Sequence, residues 1–390
     1  MFVEIFAVML DRILLFPYTI ALALRDRLFD KGIFKSSKAD VPTVSIGNIT
    51  AGGTGKTPHT EMVVRTLLQS DDWAFSNIAV LSRGYKRRSR GFQKVSRDGS
   101  ASDFGDEPVQ MAGKFPSVTV AVDKDRVEGC RFLAHPEQME GNRKARRCKD
   151  KVFPPSDIII LDDAFQHRRL KPSLNIVLVD WNRPLHKDKL IPLGRLRDLP
   201  RRISEADIVI VTKCPLYMDE WEKGKWAGYL DIKNYSTATC KGVFAGGKSV
   251  TLLFSSVGYK SMEPVFPEAD SRYMYSHRAI LFTGIAKDTP MRMYISDNYK
   301  IVKHFRFSDH RRYRLSDVRK ASRATRYSPT AVVITTEKDA QRLRDIKKMP
   351  AGLKERLFQL PIEVEFLTPG EKEVFETTLL SFLKGYRPEA

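Results

Sequence analysis

Short apolar runs rich in β-branched residues alternate along most of this chain with longer segments of helical spacing. The first series of runs lies at residues 44–48, 78–82, 118–122, 157–161, 175–179 and 207–211. Alternation of strand and helix predicts a mainly parallel sheet that helices cover on both faces. A second series predicts a further, smaller α/β unit. Its runs lie at residues 279–283, 300–305, 331–335 and 362–366.

A glycine-rich stretch separates the first predicted strand from the helix after it. This order of strand, loop and helix start is typical of a phosphate-binding P-loop, where backbone N–H groups and the helix N-terminus face an anion. Lys56 is placed to reach the outer phosphates, and Thr57 to put a hydroxyl on Mg²⁺. The spacing is unusual because Thr50 stands where glycine is expected. The predicted nucleotide-binding residues are Thr50, Ala51, Gly52, Gly53, Thr54, Gly55, Lys56 and Thr57.

Paired carboxylates follow the apolar run at residues 157–161. A buried parallel strand that ends on acids at the nucleotide edge of a sheet is a common place for Mg²⁺. We therefore predict a metal site formed by Thr57, Asp162 and Asp163. The polar residues that follow at the same edge are Gln166, His167, Arg168 and Arg169. A lone histidine there is more often a structural hydrogen-bonding group than a catalyst.

Two acidic positions are candidates for proton transfer. Asp106 lies in an acidic turn at residues 104–108, ahead of a predicted helix, and helix N-caps often have this composition. Asp309 directly precedes His310, and an aspartate can orient and polarise an imidazole. As isolated motifs both signals are weak, and a structural explanation of the Asp-His pair is the more common one.

The N-terminal residues 2–24 are strongly apolar but are interrupted by Glu4, Asp11 and Arg12. The longest uncharged run, at 13–24, has about 12 residues and contains Pro17, whereas a bilayer span needs about 20. The stretch has neither the basic start nor the small-residue cleavage site of a secretory signal. Two interpretations remain: an amphipathic helix in a membrane interface, or an ordinary core helix.

Composition indicates two packed domains and an anionic partner. The chain has 390 residues, 42% of them hydrophobic, and 66 Lys and Arg against 47 Asp and Glu give a net charge of +19. Nucleic acid, an acidic membrane and a phosphorylated small molecule all fit this charge.

The basic stretch at 83–90 is either a solvated face or a contact for phosphates or lipid headgroups. The polar, basic residues 137–151 predict a surface insertion.

Cysteine spacing argues against two classes of protein. Cys130, Cys148, Cys214 and Cys240 lie far apart and include no CxxC pair. This pattern excludes the usual zinc site and a disulfide scaffold, and it fits a reducing cytosol.

Taken together, the motifs resemble those of one family, the tetraacyldisaccharide 4'-kinases of lipid A synthesis. The matching stretches are residues 45–58, 81–86, 105–108, 161–168, 193–197, 211–213, 307–310 and 335–339. The resemblance extends from residue 1 to about residue 385. There are two departures: Ala164 stands where glycine is as common, and the insertion at 137–151 has no counterpart.

The resemblance implies an α/β fold with a P-loop NTPase-like, mainly parallel sheet, helices on both faces and a second, smaller α/β domain. The active site is expected in the cleft between the domains. The expected boundaries are residues 1–30 for a membrane-interface helix, 31–240 for the P-loop kinase domain, 241–260 for a β connector and 261–390 for the C-terminal α/β domain.

The implied reaction uses ATP and Mg²⁺ to phosphorylate the 4'-hydroxyl of a tetraacyldisaccharide 1-phosphate, giving lipid IVA. In it Asp106 is the base, and His310 assists it, with Asp309 as the residue that would orient the imidazole. The implied catalytic residues are Lys56, Asp106, Asp309 and His310. The candidate substrate-binding residues are Arg83, Lys86, Gln166, His167 and Arg168.

A substrate with four acyl chains favours the membrane-interface interpretation of the N-terminal helix. The resemblance implies peripheral attachment at the cytoplasmic face of the inner membrane of a Gram-negative bacterium. The expected partners are the acylated disaccharide lipid and the membrane surface, with neither nucleic acid nor an obligate protein partner.

Two other classes of P-loop protein compete with this interpretation. Partitioning-type ATPases also contain Gly-Gly-x-Gly-Lys-Thr, but they carry a lysine where this chain has Ala51. An ATPase stimulated by nucleic acid is expected to interleave basic patches with stacking aromatic residues, and the sequence has no such pattern.

Overall fold

The structure, a computed structural model, describes residues 2–309 and 311–386, with side chains described from residue 15 onward. The helices are α1 (Phe2–Asp30), α2 (Lys56–Gln69), α3 (Ala101–Phe104), α4 (Asp106–Lys114), α5 (Arg126–Ala134), α6 (Glu220–Tyr229), α7 (Thr289–Ser296), α8 (Leu315–Tyr327), α9 (Glu337–Arg344), α10 (Ala351–Lys354) and α11 (Pro369–Lys384). The strands are β1 (Thr43–Asn48), β2 (Ile78–Ser82), β3 (Gln93–Lys94), β4 (Thr119–Val122), β5 (Ile158–Asp162), β6 (Leu174–Asp180), β7 (Ile208–Thr212), β8 (Ile232–Ser236), β9 (Lys241–Phe244), β10 (Ser249–Tyr259), β11 (Glu263–Pro264), β12 (Arg278–Thr283), β13 (Lys300–Arg306), β14 (Val332–Thr336), β15 (Leu357–Leu360) and β16 (Ile362–Phe366).

The larger sheet has the strand order β3-β4-β2-β5-β1-β6-β7-β10-β9-β8, and β16 also pairs with β10. Neighbouring strands from β4 to β10 are parallel. Ile159 and Ile160 are both buried although they face opposite sides, because a covered parallel sheet buries a continuous apolar run. The register pairs Ile46 with Asp162, so the carboxyl ends of β1 and β5 meet at one edge. The predicted α/β fold is confirmed.

Helices cover both faces of this sheet. On one face Val64 of α2 and Phe375 of α11 belong to the same buried cluster as strand residues. On the other face Leu133 of α5 and Trp226 of α6 are buried against the alternate strand positions. Burial of one large apolar side chain stabilises a fold by ~1.5–3 kcal/mol, so these contacts fix the helices on the sheet.

A smaller, 5-stranded sheet of the described residues has the order β11-β15-β14-β12-β13. Strands β15, β14, β12 and β13 are parallel. Val318 of α8 and Leu343 of α9 are buried on one face. Met291 of α7 is buried on the other. The second α/β unit predicted from the sequence therefore forms around its own core.

Strand pairing differs from the predicted domain boundaries in two places. The expected β connector at 241–260 lies within the larger sheet, because β9 and β10 extend it beyond β7. Strand β16 and helix α11, expected in the C-terminal domain, return to the larger sheet. Within the described chain the backbone thus passes between the sheets at residues 260–262 and again at Pro361. Apolar runs reveal strands, but they do not reveal which sheet a strand joins.

The N-terminal apolar segment forms the 29-residue helix α1. Its side chains from Leu15 onward pack on the larger domain through Leu22, which is buried. Asp26, also buried, forms ion pairs with Arg25 and Arg168. Within the described residues, none of the helices combines the length and apolarity that a membrane crossing requires.

The insertion at residues 137–151 packs more deeply than its composition predicted. Met139, Ala145 and Cys148 are buried in the same cluster as Leu133. Its backbone also accepts a hydrogen bond from the Gln93 side chain, at 3.0 Å. The prediction of a surface insertion was wrong for these positions. The average composition of the segment is polar, and it does not reveal the few residues that face the core.

Candidate active site

The glycine-rich stretch forms a tight loop between β1 and α2. Gly52 and Gly55 have backbone φ angles of +111° and +89°, a region that glycine adopts without steric cost. The side chain of Asn48, at the end of β1, holds the loop closed. Its amide donates to the carbonyl oxygen of Thr50 at 2.6 Å and to Oγ1 of Thr54 at 2.7 Å. Helix α2 begins at Lys56, so its first N–H groups face the loop. This geometry fits an anion-binding cradle.

Lys56 lies between the loop and the acid pair. Its Nζ atom is 3.7 Å from Oδ1 of Asp163 and 3.4 Å from Oδ1 of Asn48. The side chain is mostly shielded from water, at 14% exposure. A lysine in this position carries a positive charge that phosphate oxygens can share with Asp163.

The two adjacent aspartates have opposite electrostatic environments. Burial, together with the nearby carboxylates of Glu107 and Asp163, raises the pKa of Asp162 to about 7. Its carboxylate accepts hydrogen bonds from Ser82 at 3.1 Å and Thr60 at 3.4 Å. Burial also acts against ionisation of Asp163, but the charges of Lys56 and Arg197 outweigh it and lower the pKa of Asp163 to about 2.

These residues fit a magnesium ion. Two carboxylates and the Thr57 hydroxyl are hard oxygen donors, and a bound cation would relieve the cost of ionising buried Asp162. No group of three His, Cys, Asp or Glu side chains that could hold a metal occurs among the described residues. The protein would therefore supply few ligands, as is usual for Mg²⁺ that binds with nucleotide phosphates and water.

Asp106 lies at the N-terminus of α4, where that helix meets α9 of the smaller domain. Arg342 donates to Oδ2 of Asp106 from Nε at 2.8 Å and from Nη2 at 2.5 Å. Arg342 is itself held by Asp339 at 2.9 Å and by the carbonyl oxygen of Gly284 at 3.2 Å. The predicted base thus sits at the junction of the two domains.

A second ion pair links the same helices. Lys338 pairs with Glu107, and this charge is the main cause of the lowered pKa of Glu107. Burial lowers the pKa of Lys338, but Glu107, Asp106 and Asp309 together raise it above its usual value. Asp309 therefore lies within electrostatic range of the junction. His310, the predicted assistant, lies outside the described residues.

The structure does not bring the predicted substrate-binding residues together in one place. Arg83 and Lys86 are exposed in the loop after β2. Gln166 donates to the carbonyl oxygen of Asn48 at 2.7 Å, next to the cradle. His167 lies 4.0 Å from a carboxylate oxygen of Asp125, and burial lowers its pKa.

Arg168 contacts helix α1 rather than the cradle. Its guanidinium forms ion pairs with Asp26 at 3.1 Å and Asp30 at 2.7 Å. It also lies over the ring of Phe29, 5.1 Å from the centroid. In the structure, therefore, this arginine ties α1 to the P-loop domain.

A comparison with protein families identifies the chain. The family described as tetraacyldisaccharide-1-P 4'-kinase matches residues 8–384. The chain belongs to this family. The resemblance stated from the motifs is therefore confirmed.

Relatives named tetraacyldisaccharide 4'-kinase match over most of the chain. The kinase of Phocaeicola vulgatus is 37% identical over 367 residues, which cover 93% of this chain and 91% of the relative. The kinase of Porphyromonas gingivalis is 35% identical over 377 residues, covering 94% and 95%. The solved structure of LpxK from Aquifex aeolicus in complex with ATP has a TM-score of 0.64 and 24% identity, and covers 95% of this chain and 99% of that one. It supports the fold.

Several polar residues at the kinase's cradle had no role assigned from the sequence. Lys213 pairs with Asp180 at 2.6 Å and donates to the carbonyl oxygen of Gly53. Thr212 donates to the carbonyl oxygen of Thr54 at 2.9 Å. Thr212 ends β7 and Lys213 follows it, so their position at the end of an apolar run at the same sheet edge was the available signal. Arg197, which binds Asp163, lies in irregular structure, and its only sequence signal was the matching stretch at 193–197, from which no role was assigned to it.

Proposed function

We propose that this kinase transfers the terminal phosphoryl group of ATP to the 4'-hydroxyl of a tetraacyldisaccharide 1-phosphate. One observation carries the proposal. The cradle, the acid pair and the start of α4 converge, so that the charges of Lys56 and Asp163 act on Glu107, beside Asp106. A nucleotide phosphate site and a candidate base therefore share one region.

The phosphate-holding groups belong to the larger domain. Lys56 and the loop N–H groups would hold the outer phosphates. Thr57, Asp162 and Asp163 would hold Mg²⁺, which would supply charge neutralisation when bound. Phosphoryl transfer depends on alignment and charge neutralisation more than on covalent catalysis. These residues therefore provide most of the rate acceleration.

The proton-accepting group is Asp106. A sugar hydroxyl is a weak nucleophile at neutral pH, so a carboxylate within hydrogen-bond reach should accept its proton. Arg342 now occupies Oδ2 of Asp106. In the proposed reaction the acceptor hydroxyl approaches this carboxylate beside Arg342, and the smaller domain contributes His310 and Asp309. Both domains then take part in the reaction.

Helix α1 provides the membrane contact. Phe16, Ile20 and Leu24 recur every four residues and are 64%, 47% and 55% exposed, which places an apolar stripe on the outer side of the helix. Ile33 and Phe34 extend the exposed apolar surface beyond the helix. Such a stripe suits a helix lying in the interface of a bilayer. We place the enzyme at the cytoplasmic face of the inner membrane, where its lipid acceptor is held.

The acceptor's phosphate requires basic contacts. Exposed Arg83 and Lys86 are candidates, and Gln166 and His167 lie nearer the cradle and α5. Arg168 serves this purpose only if its ion pairs with α1 open.

The decisive experiment compares which ligand stimulates ATP consumption by the purified protein. The acylated disaccharide 1-phosphate is expected to do so, with Lys56→Ala inactive and Arg143→Ala, an exposed position in the insertion at 137–151, unchanged. Stimulation by DNA or RNA, with none by the lipid, would refute the proposal.

A further inference from the structure

Two arginines converge on the P-loop at Gly52. A Cβ atom added to Gly52 would lie 3.7 Å from Nη1 of Arg183 and 3.7 Å from Nη1 of Arg195. Both residues belong to the segment that joins β6 to β7. Two guanidinium groups repel each other at short range, so their convergence is favourable when an anion lies between them.

The position of Arg195 is fixed by its backbone. Its carbonyl oxygen accepts the N–H of Ala51 at 2.6 Å, and Arg197 N–H donates to the carbonyl oxygen of Ile49 at 2.8 Å. Residues 195–197 therefore run beside the P-loop like a short strand. Since side chains alternate along extended backbone, Arg195 and Arg197 face the same side and Leu196 is buried. Arg197 already binds Asp163, and Arg195 extends this basic edge past Gly52.

Neither side chain is neutralised within the part of the chain that the structure describes. Arg197, Arg202 and Arg342 all form ion pairs with carboxylates. Arg183 and Arg195 form none there. The nearest acid on the segment, Asp188, uses Oδ1 to accept the N–H groups of Lys189 and Arg195, at 2.8 and 3.0 Å.

The two arginines border an open cavity of about 430 Å³. Its other lining residues include Asn182, Lys187 and Asp188, so three cations face one anion. Paired guanidinium groups recognise phosphate through parallel N–H donors, which a flexible lysine does not reproduce. The cavity therefore has the charge and the donors of a phosphate site.

We propose that Arg183 and Arg195 form a second phosphate site, which takes a terminal phosphate group beside the cradle. The inference rests on the proposed function, because that reaction brings two such groups to this edge: the terminal phosphate of the nucleotide and the phosphate of the lipid acceptor. Both sources share the same recognition chemistry. Arg183 and Arg195 are thus specificity-determining residues for a dianionic group.

The test uses Arg183→Ala, Arg195→Ala and the double variant in the full-length protein, with Arg143→Ala as a control for loss of one exposed charge. Steady-state rates are measured against ATP, against the lipid acceptor and against an acceptor without its phosphate. Loss of charge-assisted hydrogen bonds is expected to lower kcat/KM by about tenfold to a hundredfold. Arg183→Lys with Arg195→Lys should restore it only in part.

The pattern of the loss identifies the source of the phosphate. If the acceptor's phosphate occupies the site, KM for that acceptor rises while the variants match wild type on the phosphate-free acceptor. If the nucleotide's terminal phosphate occupies it, both acceptors react more slowly and a non-hydrolysable ATP analogue binds more weakly, whereas ADP does not. Values within twofold of wild type and Arg143→Ala for every substrate would overturn the proposal.

A binding measurement separates this inference from the kinase proposal. Titrations with the ATP analogue and with glucosamine 1-phosphate need no turnover. If wild type binds either probe and the double variant binds it at least tenfold more weakly, the site stands even where no lipid product forms. Equal binding of both probes by wild type and the folded double variant, checked by thermal melting, would remove the site.

Discussion

Arg197 holds Asp163 with two hydrogen bonds, 2.7 Å from Nη2 to Oδ1 and 3.1 Å from Nη1 to Oδ2. The same guanidinium reaches Asn48 below the P-loop, and its backbone carbonyl accepts the hydroxyl of Tyr18 on α1 at 3.2 Å. The next residue, Asp198, is buried and pairs with Arg25 at 3.0 Å. One short segment therefore joins the acid pair, the cradle and the N-terminal helix.

Replacing Arg197 by lysine should lower kcat/KM by about tenfold to a hundredfold, because a lysine cannot make the paired contact that orients Asp163. The measurement is the steady-state rate at saturating Mg²⁺ and again at limiting Mg²⁺. We expect a larger loss when Mg²⁺ is limiting, because Asp163 is a proposed ligand. Arg201→Lys, on the exposed side of the same region, serves as the control. If Arg197→Lys and Arg201→Lys have equal kcat/KM at limiting Mg²⁺, Arg197 does not orient Asp163 for catalysis.

Asp106→Asn should reduce kcat by about 10²–10⁴-fold, because the amide has the shape of the carboxylate but cannot accept the proton. Single-turnover phosphorylation of the lipid acceptor measures this step. Asp103→Asn removes an exposed acid from the adjacent helix α3 and should leave the rate unchanged. If Asp106→Asn and Asp103→Asn react equally fast, another group is the base.

His310→Ala tests the contribution of the smaller domain. A residue that assists the base should lower kcat by about tenfold or more while leaving the affinity for a non-hydrolysable ATP analogue unchanged. The readouts are single-turnover rate and analogue binding. If the variant loses affinity for the ATP analogue but keeps its single-turnover rate, His310 has a different function.

Lys114→Met should destabilise the fold by about 1–3 kcal/mol, because buried Glu61 loses its shortest ion pair and keeps only Arg65 and Gln110 as partners. Lys114 bridges Glu61 of the P-loop domain at 2.6 Å and Glu337 of the smaller domain at 2.7 Å. Urea unfolding followed by fluorescence gives the free energy of unfolding. The double variant Glu61→Gln, Lys114→Met should recover much of the loss; no recovery would show that the buried charge is not its cause.

The same variant has a predictable pH dependence. Burial raises the pKa of Glu61, so the folded state takes up a proton at a higher pH than the unfolded chain does. Lowering the pH through this folded-state pKa therefore favours the fold. The destabilisation by Lys114→Met should shrink as the pH falls from neutral through the folded-state pKa of Glu61, and an unfolding free-energy difference that grows as the pH falls would contradict the assignment.

Phe16→Asp, Ile20→Asp and Leu24→Asp together should lower binding to anionic vesicles by about tenfold or more, because each removes apolar surface and adds charge that the bilayer repels. Vesicle flotation measures binding. Phe75→Asp, at a side chain 99% exposed in the turn after α2, is the matched control. Equal flotation of the triple variant and wild type would mean that α1 is not the anchor.

The alternating apolar runs were enough to predict both sheets and the edge at which Lys56 and Asp162 meet, because parallel strands place their carboxyl ends together. They did not predict that β16 and α11 rejoin the larger domain, since a strand's length and apolarity are the same in either sheet. The contacts of Arg197 and Arg195 could not be predicted from the apolar runs either. They depend on an irregular segment whose path is set by backbone hydrogen bonds to the P-loop, and such a path leaves no periodic signal.

The position of the new phosphate on the reaction product tests the central claim most directly. Phosphorus and proton NMR of the lipid formed from purified protein, ATP, Mg²⁺ and tetraacyldisaccharide 1-phosphate should place it on the 4'-hydroxyl, with no product from Lys56→Ala. Phosphate on another hydroxyl, or ATP consumption with the lipid unchanged, would contradict the account.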